Sequence, residues 1–529
     1  MEARNEWDFI NVGAGITSLA FAAEAVTNRP GIRPLVLEKH LVAGGYASNF
    51  SRPLQNAVFD CSLHKLSGMR PGGNLHRIFR KLGLLDRLEL IHPTAYFNAS
   101  FDGLDIYLPN NIEEFTTKLG QSFPDEAHGL DALLLEIMTH GKDAYFQFQI
   151  STGEYDPDLP RLRYAHKHLR PLTVLEGIAR HIRNPRLFDI LCASCIYVGA
   201  LPEELGYLYY LHILYATLVA GNAYVLGGSQ HLSNTLVEII KGAGGEVLTS
   251  ERVEEVTVDD KLRATGVRTR KREFHADHII INAAPQYALN NLFSSSRNHL
   301  EKTIEKVSKL KPSLSTTTVY LVTDVPPEEL GLPLSETIFF EAPPHIAASL
   351  RERSHQSAFD ERTMEEAYWR YSPMEATNYH KLDKDGGHVV ILNVLDVMQH
   401  WPQRKTPAYR AKKKRVCETL AQRLIERRPD FRNRIRYMEV SSPHTYRRYT
   451  NNDFGAGYGA HVGPGPATAH HFHYRFPLAG VHFLSAWVAG PSYEAAFGYA
   501  EAKARAMFHG APVNPPYERI DSDRMVSAV

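Results

Sequence analysis

The feature that most constrains the fold is a stretch near the N-terminus, DFINVGAGITSLAFAAEAV, which spans residues 8–26. An apolar run there breaks at Gly13-Ala14-Gly15 and then resumes with apolar residues at helical spacing. This pattern predicts a short buried strand, a tight turn and a helix. A strand that turns through glycines into a helix is typical of the first unit of a dinucleotide-binding fold.

The glycine-rich turn fits the motif Gly-x-Gly-x-x-Gly, with Ser18 in the third place. Gly13 allows the tight turn, and Gly15 lets a pyrophosphate approach the backbone at the helix N-terminus. The third position needs only a small side chain, because it packs the helix against the strand, and serine is small enough. Glu38 ends the next predicted strand, residues 35–38, where a carboxylate accepts hydrogen bonds from ribose hydroxyls. Together these residues predict a dinucleotide site, and they fit NAD and FAD equally.

Beyond this unit, the chain divides by pattern into five further stretches. Residues 72–220 are mostly helical in spacing, and residues 221–295 give a glycine turn, a helix and alternating strands. Residues 296–440 carry apolar strands of a separate sheet and one amphipathic helix. Residues 441–510 close with a strand, a turn and a helix, and residues 511–529 form a tail. This alternation predicts an α/β protein of several domain-sized units.

Charge and composition exclude several classes of protein. Lysine plus arginine and aspartate plus glutamate number 59 each, so the basic face that a nucleic-acid partner requires is not expected. The 529 residues include only four cysteines, which favours a reducing compartment, and we expect a cytoplasmic protein. The sequence has neither a signal-peptide pattern nor about 18 uninterrupted apolar residues, so no membrane-spanning segment is predicted.

Two clusters of potential metal ligands are better explained without a metal. Cys192 and Cys195 have the spacing of a redox or zinc motif, but they lie in an apolar stretch without a second pair. His470, His471 and His473 lie close together on an extended chain, where adjacent side chains point to opposite faces. We therefore predict buried thiols, a polar loop and no metal site.

The segment LGYLYYLHILYATLVAG, residues 205–221, is unusually rich in leucine and tyrosine. A buried helix is the favoured interpretation of this segment. The alternative is a surface that dips into a membrane and admits an apolar substrate. This second interpretation predicts peripheral membrane contact near residues 205–219.

Three groups of segments extend the pattern along the chain. The first group is VGAGITSLA, VLEKHLVAGGYAS and FDCSLH. The second group is YVLGGSQHLSNTLVEIIKGAGGEVLTSERVEEVTV and ADHIIINAAP. The third group is SSPHTYRRYTNNDFGAGYG with the closing strand, turn and helix. In these segments the chain resembles the phytoene desaturase, carotenoid isomerase and retinol saturase group of flavoproteins, which are relatives of the flavin amine oxidases. The resemblance implies a resident FAD as the cofactor.

The resemblance also implies how the domains are assembled. A Rossmann-like FAD-binding domain would be built from three separated segments, residues 1–71, 221–295 and 441–510. An α+β substrate domain would be inserted between them, formed by residues 72–220 and 296–440.

The same resemblance assigns expected positions along the cofactor. Val253 would contact the adenine end through its backbone, and Gly44, Gly45 and Ser48 would lie along the pyrophosphate and ribityl chain. The closing helix would face the flavin ring with its N-terminus. The full set of expected cofactor residues is Gly13, Gly15, Ile16, Thr17, Ser18, Glu38, Lys39, Gly44, Gly45, Tyr46, Ala47, Ser48, Val253, Ala486, Tyr493 and Glu494.

Several positions depart from the family pattern. Asn11 places a polar side chain in a strand that is usually apolar, and Ser62 stands where many relatives have glycine, two residues before His64. Ser485 and Ala486 occupy the place of a Gly-Asp pair that holds the ribityl and phosphate region in relatives. We therefore expect FAD to be held more loosely here than in relatives.

The resemblance implies an enzyme that desaturates, saturates or isomerises carbon–carbon bonds of a hydrophobic polyene or lipid-like substrate. FAD would move a hydride, and the protein would supply binding, orientation and exclusion of water. His64, which should lie near the flavin, is the candidate for proton transfer. Two alternatives stay open. An amine or amino-acid oxidase would be favoured by an aromatic cage beside the flavin, and a flavin-binding protein without redox catalysis is compatible with Ala486.

Overall fold

The computed structural model of the protein describes residues 7–61, 65–151, 168–341, 368–465 and 476–508. Helices and strands alternate through these ranges, and the α/β class predicted from the sequence is confirmed. Outside the described residues lie Ser62, His64, His470, His471, His473 and the predicted tail.

A five-stranded parallel sheet forms the centre of the dinucleotide-binding domain. Its strands, in spatial order, are β10 (Glu246–Leu248), β2 (Pro34–Leu37), β1 (Phe9–Val12), β14 (Ile279–Ile281) and β20 (Val481–Phe483). The strands β1, β2 and β14 are fully buried and, apart from Asn11 in β1, apolar, because both faces of the sheet are covered. The sheet draws its strands from three separated segments of the chain, as the resemblance implies.

Helices cover one face of this sheet and a small antiparallel sheet covers the other. The helices are α1 (Ile16–Asn28), α9 (Gly228–Gly242) and α15 (Tyr493–Phe508), and the strands are β11 (Val253–Val258), β12 (Ala264–Thr269) and β13 (Glu273–His275). Helix α2 (Asn74–Lys81) also packs on α15, with the rings of Phe79 and Phe497 5.2 Å apart. Helix α2 follows residue 71, which the sequence predicts as the end of the first part of this domain.

Two small sheets connect this domain to the rest of the molecule. A hairpin is formed by β3 (Asn49–Arg52) and β4 (Ala57–Asp60). The second sheet has β9 (Asn222–Val225) in the middle, between β5 (Leu66–Ser67) and β6 (Leu90–Ile91).

A seven-stranded sheet forms the centre of the second domain. Its strands, in spatial order, are β19 (Ile435–Ser441), β15 (Ser315–Thr323), β18 (Val389–Asp396), β17 (Met374–Asn378), β16 (Glu336–Phe339), β7 (Ala95–Phe101) and β8 (Leu104–Pro109). Neighbouring strands are antiparallel except β16 and β7. The amphipathic helix α12 (Pro407–Arg427) packs on one face. The hairpin of β7 and β8 belongs to the stretch that the sequence describes only as mostly helical.

A layer of helices packs near β7 and β16 of this sheet around a shared apolar core. The helices are α3 (Ile112–Ser122), α4 (Ala127–Glu136), α5 (Lys142–Ser151), α6 (Val174–Ala179), α7 (Pro185–Cys192) and α8 (Tyr207–Leu214), with π-helical turns at Ile137–Gly141 and Tyr215–Val219.

The aromatic segment around α8 belongs to this core. The side chains of Leu211 and Leu214 are at most 1% exposed, so they provide no surface that a membrane could contact. The segment is the buried helix of the favoured interpretation, and peripheral membrane contact stays a prediction. Within the described ranges, no helix combines the length and the apolarity needed to cross a bilayer.

The remaining helices lie near the edges of the two domains. They are α10 (Pro285–Asn291), α11 (Glu301–Ser308), α13 (Pro443–Thr450) and α14 (Ala486–Ala489). All four cysteines fall in the described ranges, and no disulfide joins them. The described residues also contain no cluster of three or more potential metal ligands.

Candidate cofactor and substrate site

The turn between β1 and α1 is packed too closely for side chains. Gly13 has a φ of +99°, and a Cβ atom on Gly15 would lie 2.3 Å from Oδ1 of Asn282. Gly15 is the N-cap of α1, and no side chain caps this end of the helix. The first N–H groups of α1 therefore remain available to a bound anion, which the positive end of the helix dipole also favours.

The loop after β2 crosses this turn at a second pair of glycines. The backbone N–H of Gly44 donates to the carbonyl of Ala14 at 2.7 Å. A Cβ atom on Gly45 would lie 3.0 Å from the Cα atom of Gly15. The two loops are thus in backbone contact, and this explains the glycines in the AGGYAS segment.

Glu38 is held in a fixed orientation at the end of β2. Its Oε2 accepts the N–H of Ala14 and its Oε1 accepts the N–H of His40, both at 2.9 Å. The carboxylate is buried, and its remaining lone pairs can accept ribose hydroxyls. Burial lowers the pKa of the neighbouring Lys39 to about 8, although the charge of Glu38 opposes this shift.

These residues line one elongated cavity, which we call the dinucleotide cavity. Three separated segments of the chain supply its walls, so a dinucleotide lying there would contact all three. Its lining includes Gly13, Gly15, Ile16, Thr17, Glu38, Lys39, Gly45, Tyr46, Arg252, Val253, Asn282, Tyr287, Asn452, Ser485, Ala486 and Trp487.

Ser485 provides a direct test of whether this cavity fits a polar ligand. Its Oγ atom is buried, lines the cavity and has no hydrogen-bond partner within the described residues. A buried hydroxyl without a partner is costly, and a ribityl or phosphate oxygen would satisfy it. The cavity therefore fits FAD even though Ala486 supplies no carboxylate.

The polar residue Asn11 in β1 and the serine at position 18 are hydrogen-bonded to each other. Nδ2 of Asn11, in the middle of β1, donates to Oγ of Ser18 at 2.8 Å and to its carbonyl at 3.0 Å. Both residues are fully buried. The polar residue in the strand and the serine in the third glycine position thus form one hydrogen-bonded contact between strand and helix.

A second cavity adjoins the first and shares Ile16, Thr17, Tyr46 and Ala486 with it. We call it the tyrosine cavity, because its lining includes the five tyrosines Tyr46, Tyr197, Tyr446, Tyr458 and Tyr493.

Several of these tyrosine hydroxyls bond to the surrounding protein. The Tyr46 hydroxyl donates to the carbonyl of Ala456 at 2.7 Å, and the Tyr493 hydroxyl donates to Oγ of Ser229 at 2.9 Å. Burial raises the pKa of Tyr46, so its hydroxyl stays neutral. With these hydroxyls engaged, the tyrosines offer mainly ring surface to a ligand.

One row of the seven-stranded sheet adds polar groups to this cavity. The register places Thr318, Asn393 and Glu375 side by side on β15, β18 and β17. Thr318 donates to Oδ1 of Asn393 at 2.7 Å, and Thr377 donates to Oε1 of Glu375 at 3.0 Å. Glu375 is a buried carboxylate beneath aromatic rings, an arrangement that can receive a hydrogen-bond donor or a cation.

A larger cavity of about 460 Å³ lies farther along the same sheet, and we call it the outer cavity. Leu395 lines it and lies two residues beyond Asn393 on β18, so both side chains are on the same face of the sheet. The lining is largely apolar and includes Phe188, Ile196, Leu201, Leu314, Phe340 and Leu395.

Not all the residues predicted for the cofactor line the two adjoining cavities. Gly44 lies against Ala47 and against Ser233, which belongs to α9. The Oγ atom of Ser48 donates to the carbonyl of Gly45 at 2.9 Å. Ser18 bonds Asn11, as described above. Ala47 and Tyr493 line the tyrosine cavity, and Glu494 lines a third cavity.

Most of the cavity-lining residues that were not predicted from the sequence lie at the C-terminal end of α13. Tyr449, Thr450, Asn451 and Asn452 all line the dinucleotide cavity. They lie inside the segment SSPHTYRRYTNNDFGAGYG, which carries part of the resemblance, so that segment was the available signal. Asn282 at the end of β14 has no comparable signal of its own.

Comparison with known proteins places this site in context. A family described as an NAD(P)-binding Rossmann-like domain matches residues 12–82. The chain is 24% identical to the chloroplastic prolycopene isomerase of Arabidopsis thaliana over 473 residues, which cover 85% of this chain and 73% of that protein. It is 26% identical to the all-trans-retinol 13,14-reductase of Rattus norvegicus over 354 residues, which cover 61% of this chain and 55% of the reductase.

The resemblance drawn from the sequence is confirmed. The fold is also that of the flavin amine oxidases. Cyclohexylamine oxidase from Brevibacterium oxydans superposes with a TM-score of 0.58 at 17% identity, covering 95% of this chain and 98% of the oxidase. The comparisons thus agree with the class predicted from the sequence, an oxidoreductase of the flavin-dependent type with FAD as its cofactor.

Proposed function

We propose that this protein is an FAD-dependent oxidoreductase that acts on carbon–carbon bonds of a hydrophobic polyene or lipid-like substrate. The reaction is a desaturation, a saturation or a double-bond isomerisation. The observation that carries this proposal is the junction of the dinucleotide and tyrosine cavities at the N-terminus of α1, where a flavin ring and a substrate would meet.

In this proposal the cofactor extends along the whole dinucleotide cavity. The adenosine end lies near Glu38 and Val253, and the pyrophosphate lies at the first turn of α1 beside Gly15. Ser485 binds the ribityl or phosphate region. Flavin, when bound, supplies hydride transfer, and the chain provides binding, orientation and a site without bulk water.

The outer cavity is the proposed route for the substrate. It lies between the helical layer and the seven-stranded sheet, on the same sheet face as Asn393 of the tyrosine cavity. Its apolar lining suits a hydrocarbon chain, and the polar row at Thr318, Asn393 and Glu375 would orient the reacting end.

A second candidate function is amine oxidation, and one observation favours it. Glu375 lies in a buried cavity whose walls include Tyr197, Tyr446 and Tyr458, so an ammonium group would meet both a carboxylate and ring faces. This is the aromatic cage that the amine-oxidase alternative requires.

The experiment that separates the two functions uses the FAD-loaded protein. It is incubated without oxygen with all-trans-retinol, prolycopene, cyclohexylamine or putrescine, once with oxidised FAD and once with FAD reduced beforehand by dithionite, and flavin absorbance and product mass are followed. The main proposal expects a polyene product that differs by two hydrogens or is an isomer, and no response to amines. Flavin bleaching by amines alone, with both polyenes unchanged, would overturn it.

Cytoplasmic location and peripheral membrane contact stay predictions within this proposal. Delivery from a membrane would need a surface other than residues 205–219, because that segment is buried. Flotation of the FAD-loaded protein with phosphatidylcholine vesicles measures the contact directly.

A further inference from the structure

Glu494 lies in the first turn of α15, in a third cavity that we call the Glu494 cavity. The side chain is almost completely buried, with 3% of its surface exposed. Four residues, Tyr197, Pro491, Ser492 and Tyr493, line both this cavity and the tyrosine cavity, so the two spaces adjoin.

Two hydroxyl groups lie at the Glu494 carboxyl group. Ser67 on β5 donates to Oε2 at 2.8 Å. The hydroxyl of Tyr145 on α5 lies near the other carboxyl oxygen, Oε1, which has no hydrogen-bond partner within the described residues. The Tyr145 oxygen itself accepts the backbone N–H of Asn74 at 2.8 Å. This hydrogen bond holds the Tyr145 hydroxyl in place beside Glu494.

Glu494 differs from Glu336 and Glu501, two other buried acids, because no cation pairs with it within the described ranges. Glu336 forms an ion pair with Lys65, and Glu501 forms one with Arg77 at 2.6 Å. The groups that face Glu494 from packed elements are hydroxyls and rings, and only the Lys65 ammonium, already paired with Glu336, shares the cavity wall.

The backbone beside this acid is strained. Ser492 has a φ of +114°, a region that non-glycine residues rarely adopt. Such strain persists only where the surrounding structure requires a particular geometry, and it is concentrated at functional sites. Here it starts α15 so that Tyr493 and Glu494 both reach the cavities.

Burial favours the neutral form of Glu494. It raises the pKa of the carboxyl to about 7, although the hydroxyls of Tyr145 and Ser67 oppose the shift. Burial also lowers the pKa of His212 in the same cavity to about 4, so this histidine is neutral and adds no charge. At neutral pH the acid can therefore both give and take a proton.

We propose that Glu494 is the residue that exchanges a proton with the substrate. This rests on the proposed function. In a saturation, one carbon of the double bond takes up a hydride from reduced flavin and its neighbour takes up the carboxyl proton of Glu494. The π bond is lost, two C–H bonds form, the flavin is oxidised by two electrons, and the carboxylate regains a proton from water. Desaturation is the reverse.

The test compares Glu494→Gln with wild type, and Glu24→Gln serves as the matched control. Glu24 is another buried acid whose pKa burial raises, but it lies on α1 and pairs with Lys81 at 2.9 Å, away from the cavities. Glutamine keeps the shape of the side chain and its hydrogen-bond acceptor but cannot release a carboxyl proton. Glu494→Asp tests rescue by an acid.

The first measurement needs no substrate. Infrared difference spectra of the FAD-loaded protein between pH 5 and 9 should show a buried carboxyl band that disappears around pH 7 in wild type and is absent in Glu494→Gln. Because folding raises this pKa from 4.5 to about 7, the folded state holds the proton more tightly. The unfolding free energy of wild type should therefore fall relative to that of Glu494→Gln as the pH rises from 4.5 to about 7.

The second measurement is single turnover in D₂O of the protein whose FAD has been reduced by dithionite without oxygen, with all-trans-retinol or prolycopene as substrate. Glu494→Gln should slow the reaction by about 10²–10⁴-fold, with unchanged FAD content and KM, and with loss of the deuterium that wild type incorporates. A variant within threefold of wild type overturns the inference and leaves the proposed function standing. If wild type converts neither polyene, the proposed function fails and the inference falls with it, whatever the infrared titration shows.

Discussion

At the scale of single residues, the hydrogen bond between Asn11 and Ser18 shows how two unfavourable choices can become one favourable contact. A buried asparagine in a parallel strand is costly alone, because its amide loses water. Ser18, in the third position of the Gly-x-Gly-x-x-Gly motif, restores a hydrogen bond at 2.8 Å. The effects of Asn11 and Ser18 on stability therefore depend on each other.

The coupling of this pair can be measured by a double-mutant cycle. Asn11→Val and Ser18→Gly should each lower the free energy of unfolding by about 1–3 kcal/mol, because each leaves a buried polar group with fewer partners. The double variant should lose about 1 kcal/mol less than the sum of the two. Urea unfolding of the FAD-loaded proteins gives these values, and strict additivity would contradict the pairing.

The hydroxyl of Ser485 and the missing acid at position 486 should have opposite effects on FAD affinity. Ser485→Ala removes a cofactor hydrogen bond worth about 0.5–1.5 kcal/mol, so FAD should bind roughly two- to tenfold more weakly. Ala486→Asp adds a charged acceptor and should tighten binding roughly ten- to a hundredfold.

Both variants are tested by stripping the flavin and titrating FAD back, with circular dichroism to verify folding. Ser308→Ala on α11, whose hydroxyl bonds only the carbonyl of Glu305, is the matched control. Unchanged affinity in Ser485→Ala would remove this residue from the cofactor site. Equal or weaker binding by a folded Ala486→Asp would show that the cavity is built around alanine.

At the scale of elements, composition alone left the role of α8 open. An apolar, aromatic helix favours a core but also fits a membrane surface, and only its neighbours decide between them. Here α5, α6 and the π-helical turn Ile137–Gly141 pack against it, and Leu211 is completely buried. Composition also left the β7–β8 hairpin unpredicted. The second strand that pairs with β7 is β16, which is more than 200 residues away in the chain.

The core role of α8 predicts a stability effect without a membrane effect. Leu211→Ala should lower the free energy of unfolding by about 2–5 kcal/mol, because it leaves a cavity in a packed core. Leu54→Ala, at a residue that is 97% exposed, should change it by less than about 0.5 kcal/mol. Vesicle flotation should not differ between folded Leu211→Ala and wild type, and a selective loss of flotation would restore the membrane interpretation.

At the scale of the whole molecule, the dinucleotide cavity joins three segments that are far apart in the chain. A ligand that contacts all three binds the folded state and not the unfolded one. FAD at about 100 times its Kd should therefore stabilise the protein by about 2.7 kcal/mol. Thermal unfolding of the stripped protein should shift upward with FAD concentration, and less with FMN, which lacks the adenosine end.

Gly15→Val is the control for this linkage. A Cβ atom there meets Oδ1 of Asn282 at 2.3 Å, and valine adds two further methyl groups toward the pyrophosphate position. The variant should show no thermal shift with FAD, while Gly120→Val, at a helical glycine with open space around it, should respond as wild type does. A full FAD response in a folded Gly15→Val would place the pyrophosphate elsewhere.

The sequence by itself determined the dinucleotide fold and the position of its first turn. These depend on local signals: glycines where backbones touch, an acid at a strand end and apolar runs of fixed period. The tertiary structure decided what depends on distant pairing. It brought Thr318, Asn393 and Glu375 into one row, placed residues 449–452 against the cofactor cavity, and buried Glu494 among hydroxyls without a cation. The reason is that sheet register and cavity walls join residues far apart in sequence, which no local period encodes.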